Sequence, residues 1–550
     1  MNSHRSFRSA MAWLHTWTGL LLGWVLYAIF ITGTAAYFRP EITAWMQPET
    51  AVVSSPADAA RIAFARLQDV APDASRWLIA VPDTRSRELK IMWRPAAGGR
   101  FQNETLDPSG ERNSPPRATL GGEFFYRFHF QLMLPHPWGR WLASTAALFM
   151  LVALVSGIVT HRRFFKDLFL FRLGRDGRRP WLDFHNVTAV LALPFYLMIS
   201  YSALVIFTPM LLPLAKTWLA PSAAAGSASN PSPVAGSVST PSASVNRELD
   251  RAPSPNVAGS VSDPSASFDR MLAHVETTWG SARPLKRVDF THRATDAAAV
   301  TFTRADGPSV SHFDRETLTF SALTGHPLDK PTPAVSLGHR IRSIIYGLHL
   351  ANFASPLLRT LFFLMGFMGA AMVGTGLVLW TLKRKDRLPA AGRAGRFAYH
   401  LVSRLNISAI TGLPLACAAF LWANRLVPVG QSERADTETS IFLVVWAAAA
   451  LHACIRPAAS AWREQFIAAA VAFGALPLVD LLTAGRQLDT WPRADALYTG
   501  FTVAFLVLGA LFAYGARTLT ARSRAIRSGK TKSFRSVPAP ADLRVSQDVR

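Results

Sequence analysis

Cysteine is nearly absent: Cys417 and Cys454 are the only two in 550 residues. Both fall inside late apolar runs, so no disulfide framework braces the loops. No Cys-x-x-Cys-His occurs, which excludes a covalently attached c-type haem, and no cysteine set can hold an iron–sulfur cluster. Acids are also scarce, with 35 Asp and Glu against 58 Lys and Arg. Asp480 is the only acid that reads as lying well inside an apolar run. No carboxylate dyad and no activated nucleophile is recognisable, so no catalytic residue is assigned.

What is abundant is apolar sequence, at 50% of the chain. Several runs exceed the roughly 18–20 residues that cross a bilayer. The pattern predicts eight spans, at about 12–38, 139–160, 184–208, 355–381, 405–427, 440–455, 464–484 and 495–516. The sixth is the shortest. The fold class expected is an α-helical integral membrane protein, with a duplicated four-helix core and a C-terminal four-helix module.

A net charge of +23 resembles a nucleic-acid signal until the cations are located. Arg162, Arg163, Lys166, Arg172, Arg175, Arg178 and Arg179 separate spans two and three. Lys383, Arg384, Lys385, Arg387, Arg393, Arg396 and Arg404 separate spans four and five. Arg517, Arg522, Arg524, Arg527, Lys530, Lys532 and Arg535 follow span eight. Short Lys- and Arg-rich loops stay in the cytoplasm. Both termini are therefore expected there, with loops 39–138 and 209–354 outside. Attraction to anionic lipid explains the charge, and no nucleic-acid partner is inferred. The first span, at residues 1–38 with its short N-terminus, reads as a retained anchor rather than a cleaved signal.

The two outer loops look alike. Residues 56–71 are helical by pattern, followed by strand-like runs at Trp77–Val81 and Leu89–Trp93 and a segment ending near Gly110. In the second loop, Phe268–Trp279 is helical, followed by runs at Leu285–Phe290, Ala298–Phe302 and Val310–Phe313. Each loop is expected to form its own small α+β domain. Residues 221–264, nearly all Ser, Ala, Pro, Gly, Val and Asn, read as a disordered linker. The remaining units are 139–208 (span two, basic loop, span three), 355–381 (span four), 382–516 (loop and spans five to eight) and a basic tail at 517–550.

The histidines repeat. His15-Thr16-Trp17-Thr18-Gly19 enters a run ending at Thr32-Gly33, and His185-Asn186-Val187-Thr188-Ala189 enters one ending at Ser202-Ala203. Tyr126-Arg127-Phe128-His129 precedes a run ending at Ser156-Gly157, and Tyr346-Gly347-Leu348-His349 precedes one ending at Thr375-Gly376. Ionisable groups at membrane depth are costly and tend to be functional. An axis along the membrane normal would bring His15 to His185 near the cytoplasmic face and His129 to His349 near the outer face. Two imidazoles on opposite faces of an iron porphyrin suit electron transfer, and helix bundles build such sites from facing side chains. Two b-type haems are expected. Zinc fits less well, because no third ligand recurs in both copies. His161 competes for the inner iron, but it adjoins Arg162 and Arg163, and Trp380 stands at the matching place in the second copy. Gly19, Gly23, Gly366, Gly369, Gly374 and Gly376 permit close helix approach or clear room for a porphyrin face. Arg140 and Arg359, about three turns after the outer histidines, are candidates for haem propionates.

The four histidines around four spans resemble the PepSY-associated transmembrane family. Especially similar are His161-Arg162-Arg163-Phe164-Phe165-Lys166-Asp167-Leu168-Phe169-Leu170-Phe171-Arg172, Trp181-Leu182-Asp183-Phe184-His185-Asn186-Val187, and Leu193-Pro194-Phe195-Tyr196-Leu197-Met198-Ile199-Ser200-Tyr201-Ser202. The resemblance covers about residues 5–385. It implies a bacterial inner-membrane protein with PepSY-like outer domains, haem on the four duplicated histidines, and reduction of ferric siderophores at the periplasmic side. Family members with the motif also carry His161. The electron donor implied is a quinol or a cytoplasmic reductant. Spans five to eight lie outside the resemblance, with His400 before span five and His452 within span six. Two other classes compete: a non-enzymatic receptor or regulator whose outer domains bind peptides or proteases, and a transporter. A transporter calls for broken helices or midplane charges, and the four core spans read as having neither.

Overall fold

The computed structural model describes residues 7–50, 55–83, 85–106, 116–161, 178–211, 264–280, 284–291, 298–313, 315–328, 336–483 and 496–527. Most of the basic loop after span two, the linker and the C-terminal tail lie outside these residues.

The N-terminal half alternates amphipathic helices with more uniformly apolar ones. α1 (Phe7–Leu21) leads into α2 (Gly23–Ala36), followed by α3 (Arg39–Met46). α5 (Gly122–Gln131) precedes α6 (Trp138–Thr160), and α7 (Arg179–Leu191) precedes α8 (Leu193–Leu211). After the second outer segment, α10 (Leu337–Leu350) precedes α11 (Pro356–Lys385). Among the described residues seven helices are long and apolar enough to cross a bilayer, and α1 with α2 makes an eighth as a pair bent by 63°. The protein is a multi-pass α-helical membrane protein.

That bend corrects one expectation. The core spans are not continuous: span one breaks at Leu22 and span three at Ala192. The second break has a local cause. Pro194 lacks an N–H and its ring clashes one turn back, so the helix is interrupted before it. The chain also turns sharply between α5 and α6 and between α10 and α11. Leu132 and Ala351 end the first helix of each pair in the left-handed region, with φ of 53° and 51°. Such a non-glycine conformation costs on the order of 1–3 kcal/mol and persists only where its surroundings impose it.

The outer loops also differ from expectation. They do not form two separate domains. α4 (Pro56–Val70) and α9 (Pro264–Trp279) pack on one six-stranded antiparallel sheet, ordered β3-β2-β1-β4-β5-β6. The strands are β1 (Arg76–Ala80), β2 (Leu89–Arg94), β3 (Gln102–Leu106), β4 (Leu285–Thr291), β5 (Ala299–Arg304) and β6 (Thr317–Ser321). Each copy contributes three strands, and β1 pairs with β4 at the centre, with Ile79 opposite Val288. Neither copy could bury its apolar face as well alone. Phe64 stacks on Phe268 at 4.3 Å, and both belong to one core with Ile79, Leu272, Val288 and Phe302. Arg76 spans the seam with two bonds to Asp289, at 3.0 and 2.6 Å. The two loops are thus joined along this seam by a shared sheet.

The run Val310–Phe313 is not a strand. The backbone N–H groups of His312 and Phe313 donate instead to Ser343 of α10, to its carbonyl at 3.2 Å and its hydroxyl at 2.8 Å. This clamp ties the sheet domain to the helix bearing His349. Burial, with Arg315 nearby, pushes His312 down from 6.5 to about 4, partly opposed by Asp306, while Lys286 adds to the depression. The unfolded chain takes up a proton at this histidine that the folded chain refuses. Its contribution to stability is therefore full above about pH 6.5 and is lost as pH falls toward 4. The melting midpoint should fall over that window, and His312→Gln should flatten the fall. Equal pH profiles for the two proteins would refute this.

The C-terminal module comprises α12 (Arg393–Ile407), a π-helical turn (Ser408–Gly412), α13 (Leu413–Leu426), α14 (Arg434–Ile455), α15 (Ala458–Thr483) and α16 (Ala496–Arg527). The sixth span is longer than its apolar run. It starts six residues earlier than expected because Arg434 and Glu438 are fully buried as an ion pair. That pair belongs to a polar cluster joining the module to the first outer segment. Thr119 donates to Glu438 at 2.5 Å, and Arg117 pairs with Glu49 while donating to the Asn424 carbonyl at 2.7 Å. Arg425 binds Asp480 at 2.9 Å, donates to the Trp45 carbonyl at 2.5 Å and lies over the Trp45 ring. Asp480 thus has a partner for its charge. The π-helical turn docks on the core, where Tyr27 donates to the Ile410 carbonyl at 3.1 Å.

Candidate functional site

Each of the four histidines sits on a short amphipathic helix: His15 on α1, His129 on α5, His185 on α7 and His349 on α10. Each ring reaches across to a long apolar helix of its own copy. The small pairs noted in the sequence are where the rings land. His15 Nδ1 lies 2.8 Å from the Ala153 carbonyl, His129 Nδ1 2.9 Å from that of Ile29, and His185 Nδ1 2.8 Å from that of Met372. These carbonyls stand three residues before Ser156, Thr32 and Thr375. His349 reaches the same place through a hydroxyl, with Nδ1 2.8 Å from Ser202 Oγ, which itself donates to the Ile199 carbonyl at 3.1 Å.

The small residues are required by this approach. A Cβ at Gly33 would lie 2.4 Å from His129 Nδ1, one at Gly376 3.1 Å from the His185 ring, and one at Gly157 3.2 Å from the His15 ring. A carbonyl oxygen can only accept, so Nδ1 carries the proton in His15, His129 and His185, and Ser202, whose hydroxyl hydrogen goes to Ile199, accepts from Nδ1 of His349. Nε2 is left with its lone pair, the form in which imidazole binds a metal, and the Nδ1 bond fixes the ring.

The rings meet as the duplication implies. His15 and His185 have centroids 6.3 Å apart, and His129 and His349 have centroids 6.0 Å apart. Two metal–nitrogen bonds of about 2.0–2.1 Å, with each centroid about 1.1 Å behind its nitrogen, give a separation of about 6.3 Å. Both pairs match one metal between two imidazoles. Among the described residues no group of three or more His, Cys, Asp and Glu could hold a metal ion. A planar tetradentate ligand such as porphyrin would supply the remaining donors, so the donor set fits haem better than four-coordinate zinc. A side chain added at Gly19, one turn beyond His15, would meet nothing within 4 Å. The other glycines serve packing: Gly366 lies against Thr34 and Gly369 against Phe30.

The remaining candidates separate. His161 caps α6, its backbone N–H donating to the Gly157 and Ile158 carbonyls, and the ring facing His185 is that of His15. Arg359 is occupied within the protein, bound to Glu41 at 3.1 Å and to the Ala354 carbonyl at 2.8 Å. Arg140 has no such acid among the described residues and lies over the Phe130 ring at 5.2 Å. His452 bonds Glu464 at 2.9 Å within the C-terminal module, and His400 contacts Tyr399. Neither joins the two pairs. Sequence reading passed over Ile29, Ala153, Ile199 and Met372, since a backbone acceptor leaves no mark in side-chain identity. The hydroxyl three residues later was the available signal.

A repeat of four histidine-bearing helices, each locked onto an apolar span, defines a membrane protein with two paired-imidazole centres. The chain matches the PepSY-associated TM region over residues 12–383 and belongs to that family. It is also similar to the uncharacterized protein PA4219 of Pseudomonas aeruginosa, at 26% identity over 345 residues, covering 61% of this chain and 80% of the relative.

Proposed function

We propose that this protein is an inner-membrane di-haem electron carrier that reduces ferric chelates, siderophores among them, at the periplasmic face and releases ferrous iron. The observation that supports it best is the pair of facing imidazole sets, with Nδ1 donating to a backbone carbonyl in three rings and to the Ser202 hydroxyl in the fourth, and Nε2 left to bind metal. His15 and His185 would hold one haem, and His129 and His349 the other. Bound haem supplies a reversible one-electron centre at each face. The chain's part is to hold the rings rigid, fix their tautomer and close the sites with apolar side chains.

Orientation follows from the cations. Lys383, Arg384 and Lys385 end α11 on the side of His15 and His185, which supports a cytoplasmic position for that pair. Electrons would enter there from a quinol or a soluble reductant and leave beneath the sheet domain. Ferrous iron binds hard oxygen donors less tightly than ferric, so one electron suffices for release. No proton transfer or nucleophile is needed.

Pyridine haemochrome analysis of the protein purified from haem-replete cells should show about two non-covalent b haems per chain, one per imidazole pair. The chemically reduced protein should then reoxidise when a ferric siderophore is added without oxygen, as a ferrous trap develops colour. A colourless, metal-free protein would sink this reading. Reduced haems that ignore every ferric chelate would leave electron transfer to another periplasmic acceptor. The breaks at Leu22 and Ala192 favour a second reading, transport, because broken helices line many transport sites. Uptake of a labelled chelate into proteoliposomes, with no change in haem oxidation state, would select it.

A further inference from the structure

The outer histidine pair lies at the foot of a ring of aromatic and cationic side chains. Tyr126 and Tyr346 each precede the histidine of their copy by three residues, so each shares its helical face. Arg342 stands seven residues before His349, on that same face of α10. Arg39, Arg140 and Tyr346 all lie close enough to Tyr126 to act on its phenol electrostatically. Tyr346 donates to the Ile206 carbonyl at 3.3 Å, which fixes it against α8.

Most arginines near this mouth are neutralised. Arg39 and Arg127 share Glu123, at 3.2 and 3.1 Å. Arg85 and Arg359 share Glu41, at 2.8 and 3.1 Å. Arg140 and Arg342 differ. Neither has an ion-pair acid among the described residues, and the Nε of each, as of Arg359, is buried without a hydrogen-bond partner. Each guanidinium is instead braced on aromatic faces, Arg140 over Phe130 at 5.2 Å, and Arg342 over Phe313 and Tyr346 at 5.6 and 5.4 Å. Leaving a buried charged donor unmade is expensive, whereas a planar fork held on a ring is oriented for two parallel bonds to one carboxylate.

We infer that Arg140 and Arg342 are a carboxylate-binding pair at the mouth of the His129–His349 site. The carboxylate has two possible sources, the propionates of the outer haem or the carboxylates of an incoming ferric chelate. The first rests on the haem reading above and the second does not. Arg342 takes the place that the sequence repeat gives to Arg359, whose charge Glu41 consumes.

The test uses the purified full-length protein and the variants Arg140→Gln, Arg342→Gln and the double variant, with Arg→Lys at each position as the charge-retaining control. Haem per chain and the midpoint potentials of both haems are measured. Binding of gallium(III) citrate, a redox-inert chelate bearing carboxylates, is followed by calorimetry. If propionates are bound, the outer potential falls and that haem is lost more readily, while gallium citrate affinity is unchanged. If the chelate is bound, its affinity drops roughly ten- to a hundredfold, as expected for one charge-assisted pair, while both potentials hold. Lysine should restore part of either effect, since it keeps the charge without the fork. Potentials, haem retention and affinity all unchanged in the double variant would overturn the inference and leave both arginines as interfacial anchors. A haem-free wild type would refute the haem reading, and the citrate measurement would then decide the carboxylate pair by itself.

Discussion

His129→Ala and His349→Ala should each remove the same haem, leaving half the wild-type content and one set of spectral features. His15→Ala and His185→Ala should each remove the other. The expectation follows from shared coordination, because one imidazole of a facing pair cannot hold the metal as two do. It also follows from the anchoring, since each ring is fixed to a different span. Gly33→Val should copy His129→Ala without touching a ligand, because even a Cβ there would come within 2.4 Å of His129 Nδ1. Haem per chain and the low-temperature α-band of the reduced protein give the readout. One result would reverse the inner assignment: loss of the inner haem in His161→Ala with its retention in His15→Ala. Loss of different haems on replacing His129 and His349 would break the pairing itself.

Glu438→Ala should be the most destabilising single change in the C-terminal module. Its partner Arg434 has a fully buried side chain, and Thr119 and Asn424 also bond the carboxylate. Removing one member of a buried ion pair strands the other charge and costs about 3–5 kcal/mol. Because Thr119 lies in the first outer segment, the loss should also loosen the module from the core. The measurement is the apparent melting midpoint, with limited proteolysis of the connection near residue 430. The double variant Arg434→Met/Glu438→Leu should recover most of the loss, since apolar groups of similar size often replace a buried pair without penalty. Should Glu438→Ala melt with the wild type, the cluster is not what holds the module in place.

The four paired histidines were legible because duplication is written in the chain. His15 with Thr32-Gly33 and His185 with Ser202-Ala203 keep their spacing, and only a shared geometry explains that. The spans were legible from apolar length alone, since the hydrocarbon core sets a minimum run. Span six was read short because Arg434 and Glu438 look like loop residues until their charges are seen to cancel. The strand at Val310–Phe313 was misread because alternation reports which side chains are apolar and says nothing of which backbone accepts the hydrogen bonds. Arg359 was taken for a ligand-binding cation because a repeat position cannot show that Glu41, 318 residues away, already neutralises it.

By itself, the sequence determined the membrane class, the duplicated architecture, the four histidines and the positions of the small residues that receive them. These are local or periodic properties, carried by residue type and spacing. The tertiary structure decided which rings face each other, that Nδ1 of three is spent on a backbone carbonyl and of the fourth on the Ser202 hydroxyl, and that the two outer segments share one sheet through β1 and β4. It also decided which arginines are left without an acid among the described residues. All of these are pairings between distant segments, and they depend on which partner reaches a group first when the helices pack.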